Sequence, residues 1–262
     1  MNISAEFETI RVEIDDVICR VNLARPERLN SFNRQMMAEL KQIFRQIQSN
    51  TELRLVVVSG DGRAFCTGQD LEERRIPEDE VKPDLGESLR QNYNQLMVTI
   101  RQLSVPVIAS INGVAAGAGA SFALGCDLVV AKSSARFLFP FTALGLVPDA
   151  GSTANLVRNL GQARALGIAL LGEEMTADEA VSAGLIWASV EEAEFDEYMT
   201  QIEERIVSRP ALGLSLVKRS MYQAFDQPYE QQLKTESECQ SIAGQNPVYW
   251  DRVLQFLNKG KS

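Results

Sequence analysis

The segment Ala109-Ser-Ile-Asn-Gly-Val-Ala-Ala-Gly-Ala-Gly-Ala-Ser-Phe-Ala-Leu-Gly125 constrains this chain more than any other, because it offers almost no side chains. It follows the apolar, strand-like Pro106-Val-Ile-Ala109. A partner meeting such a segment meets bare backbone, and the run suits a turn into a helix whose free N–H groups bind a developing negative charge. Plainer structures compete with that. Val107 to Cys126 carries no formal charge and has the small-xxx-small spacing of membrane helices, but Asn112 interrupts it, and Pro106 with Asn112-Gly113 favours strand then turn. Gly117-Ala-Gly119 opens like a dinucleotide fingerprint, yet Phe122 holds the third glycine position and no acidic residue ends a following strand. Tight helix packing without chemistry remains open on this segment alone.

Around the run, Val17–Leu23, Leu53–Val58, Val105–Ala109 and Asp127–Ala131 read as short strands that alternate with helical patterns at 34–49, 87–103 and 117–125. Several of these strands are apolar throughout, as expected when both faces are covered, so the fold class is α/β. Residues 72–86 are charged, hold two prolines and lack a period, which predicts a mobile surface loop. Thr176-Ala-Asp-Glu179 has capping-box spacing and opens a helix that Gly184 ends, before a strand near Leu185 to Val190. From about 191 the pattern is helical only, with Pro210, Pro228 and Pro247 at the starts of separate helices.

Histidine is absent from all 262 residues. That excludes Ser-His-Asp and Cys-His hydrolases, HExxH metalloproteases and any histidine proton shuttle, and leaves proton transfer to a carboxylate, lysine, tyrosine or cysteine with a shifted pKa. A net charge of −9 opposes general affinity for nucleic acid or anionic membrane, although Arg25, Arg28 and Arg63 could together hold a phosphorylated ligand. Cys19, Cys66, Cys126 and Cys239 lie far apart without a CxxC pair, which fits reduced thiols in a cytoplasmic protein. The start, Met1 to Phe7, lacks the basic and apolar regions of an export signal.

A second glycine-rich loop follows the strand at 53–58. Its Phe65-Cys-Thr-Gly-Gln-Asp70, then Ile111-Asn-Gly-Val-Ala-Ala-Gly-Ala-Gly119, then Leu144-Gly-Leu-Val-Pro-Asp-Ala-Gly-Ser152, resemble the crotonase (enoyl-CoA hydratase/isomerase) family in the same order. Arg25-Pro-Glu-Arg-Leu-Asn30, Gly161-Gln-Ala-Arg-Ala-Leu166, Leu171-Gly172 and Ala183-Gly-Leu185 extend the resemblance over about residues 8–258. It implies a ββα spiral core over 1–195 and a C-terminal helical oligomerisation region over 196–262, assembled as a homotrimer or homohexamer. An acyl-CoA is the implied substrate, with no cofactor, no metal, and no nucleic-acid or membrane partner.

By motif position, the backbone N–H groups of Gln69 and Ala118 would hold the thioester oxygen while an enolate-like intermediate forms. The resemblance implies that Arg28, Ala64, Thr67, Gly68, Asp70, Leu71 and Gly117 bind the acyl-CoA substrate. The two glutamates with which hydratases of the family add water correspond here to Ser121 and Phe141, so hydratase chemistry by that pair is not expected. Asp149 remains as the acid–base group: an aspartate among apolar neighbours has its charged form disfavoured and can take and return a proton. It could instead cap a helix beginning near Ser152. Asp70 and Asp127 fit turn-fixing roles, and Cys66 fits a small buried one.

Within the family, the motifs are most similar to those of enzymes that isomerise the ring 1,2-epoxide of phenylacetyl-CoA to its oxepin. A 3-enoyl-CoA to 2-enoyl-CoA isomerase using the same aspartate, a hydratase-like enzyme, and a non-catalytic acyl-CoA-binding homologue are the alternatives. Ser152, where a second glycine is common, and a tail without the usual Lys-Arg pair depart from the family pattern at the nucleotide end.

Overall fold

The computed structural model describes residues 6–77 and 79–259. The first five residues, one position of the charged loop and the last three of the tail lie outside the described residues, together with whatever was expected of them. In chain order, β1 (Ile10–Asp15), β2 (Ile18–Leu23), α1 (Arg34–Ser49), β3 (Leu55–Gly60) and β4 (Ala64–Cys66) come first. Next are α2 (Leu85–Ser88), a π-helical segment Leu89–Tyr93, α3 (Asn94–Gln102), β5 (Val107–Ile111), β6 (Val114–Ala116) and α4 (Ala118–Leu124). β7 (Leu128–Lys132), β8 (Arg136–Leu138), α5 (Ser152–Leu171), β9 (Met175–Thr176), α6 (Ala177–Ser182) and β10 (Ala188–Val190) follow. The chain closes with α7 (Phe195–Val207), α8 (Ala211–Gln223), α9 (Tyr229–Gln245) and α10 (Pro247–Lys259).

The strands form two sheets. One runs β1-β2-β3-β5-β7-β10 and is parallel except for the β1–β2 pair; the other runs β4-β6-β8-β9 and is parallel except for β8–β9. Successive pairs β3 then β4, β5 then β6, and β7 then β8 each give their first strand to the large sheet and their second to the small one. Each pair leads into helix, so the chain climbs as a ββα spiral. The same order lays β4, β6 and β8 side by side and parallel, which brings their C-terminal ends to one edge.

Continuous apolar strands are explained by this layering. Met36, Leu40, Ile43, Phe44 and Ile47 of α1, with Leu96 and Ile100 of α3, pack with Val56 and Val58 in the main core. Leu55, Val57 and Ile108 belong to a second apolar cluster closed by Phe195, Met199 and Ile202 of α7. Covering both faces makes alternation unnecessary, and each large side chain buried in this way contributes about 1.5–3 kcal/mol. Asn33 caps α1 by accepting from Met36 N–H at 2.8 Å, which fixes its start where the apolar period begins.

The helical pattern at 87–103 contains the π segment, and the start of the expected loop at 72–86 belongs to a 3-10 turn, Leu71–Arg74, capped by Asp70. The small-residue run divides among β5, β6 and α4, and no helix of the described residues is long and apolar enough to cross a membrane. The helices after about 195 divide in role: α7 covers the large sheet, whereas many apolar side chains of α8 to α10 are exposed. The short second sheet escaped sequence reading because three-residue strands carry no measurable period. The capping box Thr176–Glu179 is complete, with both reciprocal hydrogen bonds formed.

Candidate active site

The edge where β4, β6 and β8 end is where the motif residues meet. Leaving β4, the chain turns at Gly68, whose φ of +89° is a left-handed value that a side chain resists. A β-carbon there would stand 2.9 Å from Ala116 O and 3.1 Å from Ala118 N, so only glycine lets the two loops approach so closely. Phe32 N–H donates to Gly68 O at 2.7 Å and Asp70 N–H to Phe32 O at 2.9 Å, which pins the peptides on either side of Gln69. Gln69 N–H itself donates to no protein acceptor among the described residues.

Leaving β6, Gly117 takes φ +53°, ψ −127°, another conformation open in practice to glycine alone, and α4 begins at Ala118. Gly117 N–H donates to Leu138 O at 2.9 Å, tying this corner to the end of β8. Gly119 serves packing: a β-carbon would fall 2.2 Å from Cys66 O, so α4 lies directly on β4. Ala118 is 6% exposed, and its N–H, like that of Gln69, has no protein acceptor among the described residues. Two backbone donors without a protein acceptor, on loops that approach this closely, have the chemistry to stabilise an oxygen that gains negative charge.

Leaving β8, a 3-10 turn over Pro140–Leu144 leads to Asp149. Ala150 and Gly151 both have positive φ, +50° and +86°, so the chain reverses sharply just before α5. Asp149 does not cap that helix. Ser152 N–H and its hydroxyl donate to the Asp149 backbone carbonyl at 2.9 and 2.8 Å, and no side chain caps α5 at Gly151. The carboxyl is half-buried, and its Oδ1 is buried without a hydrogen-bond partner among the described residues. Burial pushes its pKa up to about 6. A carboxylate left unpaired costs stability, and such a cost is characteristic of a group kept for proton transfer.

Tyr93, which sequence reading missed, joins these parts. Its hydroxyl donates to Gln69 Oε1 at 2.7 Å. Burial above all pushes its phenol up. An aromatic inside a helical pattern gives no hint of this in the sequence.

The hydratase positions offer no carboxylate: Ser121 is fully buried and donates to Gly117 O at 3.1 Å, and Phe141 is buried in the core. Asp70, expected among the substrate-binding residues and also as a turn-fixing one, holds the loop. Its Oδ2 pairs with Arg25 at 2.8 Å and its Oδ1 accepts from Glu72 N–H at 3.2 Å. Burial alone would raise its pKa, but these bonds hold it below the usual carboxylate range. Arg25 also donates to Ser31 O, so of the three arginines considered for phosphate it is already committed, while Arg28 and Arg63 are exposed. Ala64 is buried in β4, Thr67 bonds back to Leu29 O at 3.3 Å, and Leu71 is exposed beside the loop. Asp127 accepts from Val107 N–H, Lys218 and Tyr222, each at 2.7 Å, and anchors α8 to the large sheet. Burial pushes the Cys66 thiol up to about 12, which leaves it inert at neutral pH.

Comparison with known proteins agrees with the geometry. The profile of the enoyl-CoA hydratase/isomerase family matches residues 13–262. The chain is 40% identical over 253 residues to 1,2-epoxyphenylacetyl-CoA isomerase of Escherichia coli strain K12, covering 97% of each protein. It is 30% identical over 239 residues to 2,3-dehydroadipyl-CoA hydratase of the same organism, covering 91% of each. Among solved structures, enoyl-CoA hydratase from Bacillus anthracis superposes with a TM-score of 0.89 at 28% identity, covering 96% of this chain and 97% of that one.

Proposed function

The chain belongs to the enoyl-CoA hydratase/isomerase family, and from that membership we propose that it is an acyl-CoA isomerase acting through a thioester enolate. The thioester oxygen accepts from Gln69 N–H and Ala118 N–H. The Asp149 carboxylate removes a proton from the carbon beside the thioester, the electron pair passes onto the oxygen held by the two donors, and Asp149 returns the proton elsewhere on the same conjugated system. Atoms are neither added nor lost, so the product is an isomer. The CoA thioester is the substrate and no further cofactor takes part.

One observation carries this: Asp149 is a half-buried carboxyl with a buried, unpartnered Oδ1, in a chain whose two hydratase glutamate positions are Ser121 and Phe141. Donors fixed in the backbone need no reorganisation as charge develops, and loss of one costs about 3 kcal/mol of barrier. The acyl group is ring-1,2-epoxyphenylacetyl: the carbon–carbon bond shared by the epoxide and the six-membered ring opens to give the seven-membered oxepin, and the proton that Asp149 removes beside the thioester returns to a ring carbon, a reading supported by the 40% identity to 1,2-epoxyphenylacetyl-CoA isomerase. A straight-chain 3-enoyl-CoA, isomerised to the 2-enoyl-CoA by the same aspartate, is the second reading. Hydration is kept as a test outcome because a hydratase relative matches at 30% identity.

The protein assembles as a trimer or a pair of trimers, with its C-terminal helices between subunits. Phe225, Tyr229, Trp250 and Phe256 on or beside α8 to α10 are 57%, 77%, 58% and 79% exposed, more apolar surface than a lone subunit keeps without use. Mass measurement in solution tests this.

The decisive experiment incubates the protein in D2O with phenylacetyl-CoA, ring-1,2-epoxyphenylacetyl-CoA, a straight-chain 3-enoyl-CoA and a 2-enoyl-CoA. Exchange beside the thioester together with turnover of the epoxide is expected. Turnover of the 3-enoyl-CoA alone favours the second reading, and hydration of the 2-enoyl-CoA as the fastest reaction overturns isomerase chemistry. Tight binding without any exchange identifies a non-catalytic homologue.

A further inference from the structure

A donor that acts through its backbone leaves its side chain free, yet the Gln69 side chain is bonded at both ends. Oε1 accepts from the Tyr93 hydroxyl at 2.7 Å and from Arg74 Nη2 at 3.4 Å. Nε2 donates to Phe32 O at 3.1 Å and to Asp70 O at 3.3 Å. An amide held on both its oxygen and its nitrogen cannot rotate. With the neighbouring peptides already paired to Phe32, the whole residue is fixed.

Tyr93 is held as firmly. It closes the π-helical segment Leu89–Tyr93, and a π turn, common at functional sites, spends an extra residue and so changes which face the next side chain takes. Lys41 on α1 fastens that segment by donating to Gln91 O at 3.2 Å and Asn92 Oδ1 at 2.9 Å. The Tyr93 ring meets Phe32 edge-on, with centroids 5.9 Å apart. At 7% exposure, its hydroxyl has been taken out of water and bonded to Gln69, the strongest of the four side-chain contacts there.

We propose that Tyr93 is a positioning residue for the oxyanion site: by holding the Gln69 side chain it steadies the residue and so reinforces the direction that the Phe32 backbone bonds give Gln69 N–H. This rests on Gln69 and Ala118 being the donors to the thioester oxygen. A donor that can swing must be reoriented as charge develops, and that reorganisation is what a preformed site avoids. Phe32 is the shared support, since it takes the Gln69 amide on its carbonyl and the Tyr93 ring on its side chain.

Tyr93→Phe keeps the ring packing and removes only the hydroxyl. With phenylacetyl-CoA carrying a labelled carbonyl, the wild-type protein is expected to lower the carbonyl stretching frequency and to catalyse exchange beside the thioester. Tyr93→Phe should slow exchange about 10-fold, leave the half-saturating concentration within about twofold, and return the frequency part of the way to that of free thioester. In a Gln69→Ala background, Tyr93→Phe should change neither quantity further. Unchanged exchange and frequency in Tyr93→Phe overturn the positioning role alone. Effects that multiply in the Gln69→Ala background also overturn it, because Tyr93 would then act on the substrate directly. No frequency shift in the wild-type complex overturns the donor assignment and this role with it.

Discussion

Gly68 lies so close to Ala118 that a β-carbon on it would come within 3.1 Å of the Ala118 nitrogen. Two loops from adjacent strands of the small sheet thus meet with only hydrogen between them, and each presents a free backbone N–H. Gly68→Ala tests the arrangement. At φ +89° the new side chain costs about 1–2 kcal/mol of strain and pushes against Ala116 O and Ala118 N. Catalysed exchange beside the thioester should fall about 100-fold while cooperative unfolding persists. Normal exchange in a folded Gly68→Ala protein would remove these loops from the site.

Asp149→Asn separates proton transfer from thioester binding. Loss of a general base costs typically 10²–10⁴ in rate, so kcat should drop at least about 100-fold. Acyl-CoA affinity, which depends on the two backbone donors, should change by less than about threefold. Retained turnover in this variant is the result that would exclude Asp149 as the base.

The raised pKa of Asp149, about 6, gives paired pH effects of opposite sign. Proton removal needs the ionised form, so turnover should rise with pH through about 6 and then level off. Stability moves the other way. The folded state holds this proton more tightly than the unfolded chain, so Asp149 favours folding most at low pH, and its contribution declines as pH rises from about 4 to about 6. Above that window the protein carries an ionised, half-buried carboxylate. Asp149→Asn should therefore stabilise the protein at pH 8 by about 1–2 kcal/mol, after allowing for partial solvent access. The gain should shrink toward pH 4, and thermal melts of both proteins at the two pH values check it.

Gly119 and Gly117 should fail differently when changed. Gly119→Ala drives a β-carbon to 2.2 Å from Cys66 O, backbone that cannot yield without parting α4 from β4, and should cost about 2–3 kcal/mol of stability. Around Gly117 a β-carbon meets nothing within 4 Å, so Gly117→Ala strains only the local φ of +53° and should shift Ala118. Its thioester binding should suffer more than its melting temperature. Equal melting temperatures for the two variants would contradict this division.

The anchor at Asp127 is open to a simple stability test. Lys218 is buried, bonds to Asp127 at 2.7 Å and spends its other protons on the carbonyls of Ile100 and Val105. Lys218→Met leaves that carboxylate without its cation and should cost about 3 kcal/mol, with kcat per folded molecule unchanged. Denaturant unfolding and a turnover assay read the two quantities separately.

What the sequence determined by itself is local or compositional. The α/β rhythm, the helical pattern at 34–49, the Thr176–Glu179 capping box and the glycines at 68 and 117 follow from residue types whose backbone preferences act within a few positions. The absence of histidine excluded histidine-based catalysis, and Ser121 and Phe141 left the two hydratase glutamate positions without a carboxylate, before any contact was known. Tertiary structure decided what depends on residues far apart in the chain. Asp149 could have capped α5 by its sequence alone; only the fold, by reversing the chain at Ala150 and Gly151, leaves its Oδ1 buried and unpartnered. Arg25, a candidate for phosphate in the sequence, is claimed by Asp70 from another loop. Tyr93 was indistinguishable from a core aromatic until a π turn and the end of β4 put its hydroxyl on Gln69. Backbone preference is written residue by residue, whereas desolvation and hydrogen-bond partnership belong to the packed neighbourhood, and those set the raised pKa of Asp149 and the contacts of the Gln69 side chain.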